Sequence, residues 1–251
     1  MALAGGEESR NDELARLGGI DTVVGSADDL LSVADVLIVT TRHAGLHRQQ
    51  AAPFLAEGRP VLVDKPLACS VADAEAILRT AREHGALVTS YSTLRHLPEM
   101  TQLVGGLPPL GPLRFIVATG PADEHSPYGG VFYYGIHPVD IALMLAPGEL
   151  GGVSVHRVAE SICAQTDVGD VHITVNLVAP GASKPVPFHA LAVGREGLIA
   201  SELPATGNYV AHGLNAFFDM VTEGAPRLSD AQLLRPVTFL EAVQSALDAP
   251  L

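Results

Sequence analysis

Tryptophan is absent from the 251-residue chain, and cysteine occurs twice, as Cys69 and Cys163. Two thiols so far apart build neither a disulfide framework nor a metal-ligand spacing, so both read as ordinary thiols of a reducing compartment. Cations are scarce: 15 Lys and Arg stand against 28 Asp and Glu, a net charge of −13, which excludes the clustered basic surface that nucleic-acid phosphates require. No run reaches the roughly 18 consecutive apolar residues of a membrane span. The opening text, MALAGGEESRNDELARLGG, carries acids early and has no secretory apolar stretch, so a cytoplasmic location is expected. HExxH, CxxC and GxSxG are all missing, which leaves zinc-hydrolase and serine-hydrolase chemistry without its groups, and no metal site is expected.

What is present is globular. Apolar residues make up 47% of the chain but aromatic ones only 5%, so the core must be built mainly from Ala, Val and Leu. Residues 8–18 read as a helix ending at Gly18-Gly19, Thr22–Val24 as a short strand, and Ser26 as the cap of a brief helix through ADDLLSV. Val36–Thr40 and Pro60–Asp64 are continuous apolar runs, as expected of parallel strands covered on both faces. Helices are predicted over 44–57 and over Ser70–His84, the latter capped by Ser70, with a strand at Leu87–Tyr91. Strand–helix repetition with short connections implies a doubly wound parallel sheet over residues 1–105. GGLPPLGP then acts as a connector. Strands at Arg114–Thr119, Gly152–Ala159, Val171–Val178 and Phe188–Val193 follow, with VAPGAS read as a hairpin turn. Helices at about 133–145, 209–223 and 230–248 make residues 106–251 an α+β domain with a predominantly antiparallel sheet.

Two clusters carry chemistry. Asp64-Lys65-Pro66 directly follows a buried strand, and ligands of open α/β sheets sit beyond the carboxyl ends of strands. Pro66 biases Lys65 towards an extended backbone, and a positioned ammonium there holds a hydroxyl or assists proton transfer. In YYGIHPVD, helical spacing places Tyr133, His137 and Asp140 on one face, where a carboxylate orients an imidazole for acid–base work. Pro138 is expected in the first turn of that helix, since an interior proline removes a hydrogen bond. Read without further context, a surface lysine beside an acid and a satisfied helix-start histidine explain these spacings better than a site does. His43 and His47, after VLIVTTR, read as helix-start or surface residues at least as readily as ligand contacts.

Taken together, ADVLIVTTRHAGLHRQQAAPFLAEGRPVLVDKPLACSVADAEAIL, GPLRFIVATGP, GGVFYYGIHPVDIALML and the closing FFDMVTEGAPRLSDAQLLRPVTFLEAVQSAL resemble, in this order, the glucose–fructose oxidoreductase / inositol dehydrogenase / MocA (Gfo/Idh/MocA) family. The resemblance implies an NAD- or NADP-dependent oxidoreductase acting on sugars, cyclitols or polyols, and a homo-oligomer. It places Lys65 beside the nicotinamide and the reacting carbon, and makes His137 the acid–base residue with Tyr133 or Tyr134 assisting. Thr40, Thr41 and Arg42 would border the nicotinamide half with Asp64, Lys65 and Pro66. Asp140, Tyr134 and Arg95 would serve the substrate side.

The chain departs from the family twice. Tyr133 stands where the family has an Asp, and a phenol with a pKa near 10 is a poor carboxylate substitute. No G-x-G-x-x-G follows an N-terminal strand; the text begins at or just after the family's second strand, with MALAGG at its end, and a start further upstream is expected. In the strand order 3-2-1-4-5-6 the missing first strand is the central one, so VLIVT should have one unpaired flank. A non-catalytic, cofactor-free relative acting as a binding or regulatory protein, and a lyase or epimerase using the same cleft, are the competing readings.

Overall fold

A computed structural model describes residues 1–5, 8–181, 184 and 186–249. The N-terminal half contains β1 (Ala2–Ala4), α1 (Glu8–Gly18), β2 (Thr22–Val24), β3 (Leu37–Val39), α2 (His47–Ala56), β4 (Val61–Val63), α3 (Val71–Glu83), β5 (Val88–Thr89) and α4 (Pro98–Gly105). All of its strand pairs are parallel, as the continuous apolar runs predict. The sheet is split, however: β1 pairs with β2, and β3-β4-β5 form a separate sheet. In sheet order, β1 and β3 are the strands that would flank the missing central one. Among the described residues the VLIVT strand pairs on one side alone, with β4, leaving the unpaired flank that the sequence implies.

The side chains of β4 alternate between two covers, as the period of two along a strand demands. Val61 and Val63 pack with Phe54 and Leu55 of α2 and Ile77 of α3. Leu62 faces the other way, against Phe217 and Met220 of a helix that the chain forms much later, α6 (Tyr209–Glu223). Ser70 caps α3 by accepting from the Asp73 amide, as expected.

The second half is built on β6 (Leu113–Pro121), α5 (Phe132–Leu145), β7 (Ser154–Val158), β8 (Ser161–Val168), β9 (Val171–Val178), β10 (Phe188–Gly194) and β11 (Gly197–Leu203), then α6 and α7 (Asp230–Asp248). The strands form one six-stranded sheet in the order β11-β10-β6-β9-β8-β7, antiparallel except for the β6–β9 pair. Sequence reasoning missed β8 and β11. It also read VAPGAS as a hairpin turn, but β9 and β10 do not pair; both flank β6, and residues 182–183 of that turn lie outside the described residues.

Eleven of the fourteen residues of α5 are buried, because this helix lies between the sheet and α7. It begins within a residue of the expected start. Gly129 and Gly130, with φ of 104° and 59°, turn the chain into it, so Pro138 sits inside the helix and not in its first turn. A capping box at Ser229 and Gln232 starts α7. Among the described residues, no helix is long and apolar enough to cross a membrane.

Candidate active site

The carboxyl ends of β3, β4 and β5 open onto a cleft of about 380 Å³. Thr40 lies just beyond β3, Asp64 and Lys65 just beyond β4, and Tyr91 and Thr93 just beyond β5. The far wall is Tyr134 and His137 of α5 with Phe188 of β10, and α6 closes one side with Tyr209, Val210, Gly213 and Leu214. Ile38 and Leu62 give the cleft an apolar floor.

Lys65 enters after β4 and is followed by a cis bond to Pro66. Its ammonium donates to the Tyr133 carbonyl at 3.4 Å and lies 5.1 and 5.5 Å from the ring centroids of Tyr133 and Tyr134. Aromatic faces attract a cation without neutralising it. Burial pulls the Lys65 pKa below that of an ordinary lysine, with Asp64 opposing the shift. His137 is 5% exposed. Burial, then the neighbouring Lys65 charge, pushes its pKa well below the usual imidazole value, so the ring is neutral at pH 7. Its Nδ1 lies 2.7 Å from the Ser92 hydroxyl, and the rings of Phe188 and Tyr134 stand 5.1 and 5.8 Å away.

Behind His137 sits a polar clamp. Asp140, buried on α5, accepts from the Ser92 amide at 2.9 Å and from Arg95 at 2.6 Å. Arg95 is itself mostly buried, and its guanidinium pairs with this carboxylate. The structure therefore places Arg95 and Asp140 away from the cleft wall, joining α5 to the turn after β5, where the sequence reading expected them beside a substrate. Shared helical spacing brings residues to one face; it does not say whether that face meets the cleft or a neighbouring element.

The remaining predicted residues divide. Thr40, Asp64, Lys65, Tyr134 and His137 meet at the cleft. Tyr133 does not line it; its ring packs on Tyr128 at 4.9 Å and on the Lys65 ammonium. Thr41 donates its hydroxyl to Gln50, and Arg42 donates outward to the Tyr128 hydroxyl, which raises its pKa. The Pro66 carbonyl is turned to His47 Nδ1 at 2.9 Å, while His47 Nε2 faces the Thr41 carbonyl at 2.7 Å. His47 is completely buried and ties the loop after β3 to the loop after β4; it is a structural brace between two site loops, more than a helix-start residue. Ser92, Thr93 and Tyr209 were not singled out in the sequence. Ser92 and Thr93 carried one usable signal, their position just past a strand end that opens on the cleft. No group of three or more His, Cys, Asp or Glu suited to a metal occurs among the described residues.

This geometry sits on a recognisable scaffold. Residues 1–92 match the model of GFO_IDH_MocA, described as an oxidoreductase family with an NAD-binding Rossmann fold. The N-terminal part of this chain is thus similar to that family. A curated relative, trans-1,2-dihydrobenzene-1,2-diol dehydrogenase of Oryctolagus cuniculus, is 30% identical over 105 residues, covering 41% of this chain and 32% of the relative; the match thus spans about a third of that protein's length. Solved structures extend the likeness to the whole fold. A putative myo-inositol dehydrogenase from Sinorhizobium meliloti 1021 superposes with a TM-score of 0.84 at 14% identity, covering 98% of this chain and 89% of that one. Apo scyllo-inositol dehydrogenase from Lactobacillus casei gives 0.83 at 14% identity, with 98% and 87% covered. GenD2 from gentamicin A biosynthesis, solved in complex with NAD, gives 0.80 at 20% identity, with 98% and 86% covered. At these identities the superpositions establish the fold: a Rossmann-like parallel sheet followed by a mixed, mostly antiparallel sheet.

Proposed function

We propose that this chain is an NAD(P)-dependent oxidoreductase that interconverts a secondary alcohol and its ketone on a sugar, cyclitol or polyol-like ring. The observation that carries this reading is the convergence of Lys65 and neutral His137 on one cleft at the carboxyl ends of three parallel strands. The inositol and dihydrobenzene-diol names of the relatives point to a shared feature, hydroxyl groups on a six-membered ring.

The residues present fit the nicotinamide end of a dinucleotide. Thr40, Asp64 and Lys65 offer polar partners above the apolar floor of Ile38 and Leu62. The groups lining the cleft fit that end of the dinucleotide. NAD(P), when bound, supplies or takes up the hydride. The protein's own work is to hold the reacting oxygen between Lys65 and His137, to move its proton, and to exclude water with Tyr134, Phe188 and Tyr209.

Titration with NADH and with NADPH, followed by nicotinamide fluorescence and then by turnover of myo-inositol, scyllo-inositol and cyclic diols, tests this. Saturable binding with reduction of NAD(P) is the expected result, and Lys65→Met should lower kcat by roughly 10²–10⁴-fold. A folded chain that binds neither dinucleotide would favour the cofactor-free binding protein.

A further inference from the structure

We propose that Ser92 is a positioning residue that fixes His137 in the tautomer carrying its hydrogen on Nε2, so that His137 donates a hydrogen bond into the cleft while Lys65 carries the substrate proton. The division of labour rests on the oxidoreductase reading above; the tautomer does not.

The argument starts from the hydrogen count at one oxygen. Ser92 is fully buried and begins the short 3-10 turn Thr93–His96, where its hydroxyl oxygen accepts from the Leu94 amide at 3.3 Å. A serine hydroxyl has one hydrogen to give. Among the described residues, the group within reach to accept it is His137 Nδ1, at 2.7 Å. The reverse arrangement, with Nδ1–H donating to Ser92, would make the oxygen accept twice and leave its own hydrogen buried without a partner, which is unfavourable. Nδ1 is therefore the acceptor.

A neutral ring whose Nδ1 accepts must carry its hydrogen on Nε2. Neutrality is independently supported, since burial and the Lys65 charge both disfavour the imidazolium. The Ser92 main chain cannot drift, because its amide donates to Asp140, which Arg95 holds from the other side. Phe188 and Tyr134 flank the ring itself. The Nε2 edge has no partner among the described residues and borders the cleft.

The chemistry follows from the lone pairs. An Nε2–H imidazole has no free lone pair towards the cleft, so it cannot accept a hydroxyl proton there; it stabilises negative charge on oxygen by donation. Lys65 lines the same cleft, and its burial lowers its pKa from the ordinary lysine value, the direction that favours giving and taking a proton. In alcohol oxidation the hydroxyl proton passes to the uncharged Lys65 amine, which becomes the ammonium. NAD(P), when bound, would take up the C–H hydrogen with its electron pair, while His137 would stay hydrogen-bonded to the oxygen as it becomes a carbonyl. Ketone reduction runs the same changes backwards.

The test is a long-range proton–nitrogen correlation spectrum of the chain labelled with ¹⁵N-histidine at pH 7, with the His137 signals assigned by their loss in His137→Gln. A neutral ring with a bare Nδ1 and a protonated Nε2 is expected, without dinucleotide or substrate. Ser92→Ala keeps the amide bond to Asp140 but removes the hydroxyl, and should convert the pattern to a mixture of tautomers; Ser92→Thr should restore it. With a substrate in hand, Ser92→Ala should lower kcat about tenfold while KM stays within about twofold. A protonated Nδ1 in the native chain, or an unchanged pattern in folded Ser92→Ala, overturns the proposal. Should Ser92→Ala not fold, the native spectrum alone decides. Because that spectrum needs no turnover, loss of the oxidoreductase reading and loss of the Ser92 assignment are distinguishable.

Discussion

The two sheets of this molecule are held together very differently. In the second half, β6, β8, β9 and β10 run seven to nine residues each and share one continuous ladder. Among the described residues of the first half no strand exceeds three residues, and the ladder is broken between β1 and β3. Burial follows the same division. Leu30 is the first buried side chain among the described residues, so the described side chains of β1, α1 and β2 contribute none. Hydrophobic stabilisation scales with the apolar area removed from water, so cohesion is concentrated in the second sheet and in the β3-β4-β5 layer. The β1-α1-β2 unit is attached at low local stability. The cleft, fittingly, is built where cohesion is high.

The contrast is sharpest at the clamp that joins the two halves. Asp140→Ala leaves the Arg95 guanidinium buried and unpaired, and the expected loss is about 3–5 kcal/mol in urea unfolding; a loss below about 1 kcal/mol would show that the halves do not depend on this contact. In the second sheet, Leu177→Ala removes a side chain that is 1% exposed, and about 3 kcal/mol should be lost. His137 gives a smaller, pH-dependent effect. Its native pKa lies well below the unfolded value near 6.5, so below that pH the unfolded chain binds the extra proton. Stability is then lost as pH falls below about 6.5, with a slope of at most about 1.4 kcal/mol per pH unit from this group. His137→Gln should flatten that part of the profile. Smallest of all, Leu14→Ala on the exposed face of α1 should stay within about 0.5 kcal/mol. A Leu14 effect as large as that of Leu177 would erase the distinction between the regions.

Much of this was legible before any coordinates. VLIVT and PVLVD were readable as strands because parallel strands buried on both faces leave an unbroken apolar run. β8 was not, because its inward positions are Ile162, Ala164, Thr166 and Val168, and an inward alanine and threonine dilute the alternation. At the site, Lys65 and His137 stood out as polar groups at strand and helix ends. Ser92 did not, since a serine before a turn has an ordinary capping role, and here it fills that role and faces the imidazole as well. The destinations of Arg95 and Asp140 were hidden for a different reason. Helical phase fixes which residues are neighbours, whereas the choice between cleft and clamp depends on how α5 meets the turn after β5, a long-range contact.

The covering of β3 and β4 by α6 has a bearing on how the chain is made. Ile38 and Leu62 leave the ribosome long before Phe217 and Met220, which shield that layer from water. At synthesis rates of ~5–20 residues per second, the nascent sheet waits on the order of 10–40 s for its roof. During that interval it exposes an apolar face and an open strand edge together, the combination that recruits a chaperone or a neighbouring nascent chain. Production of this protein should therefore depend on the pace of translation and on chaperone supply more steeply than its finished stability would suggest.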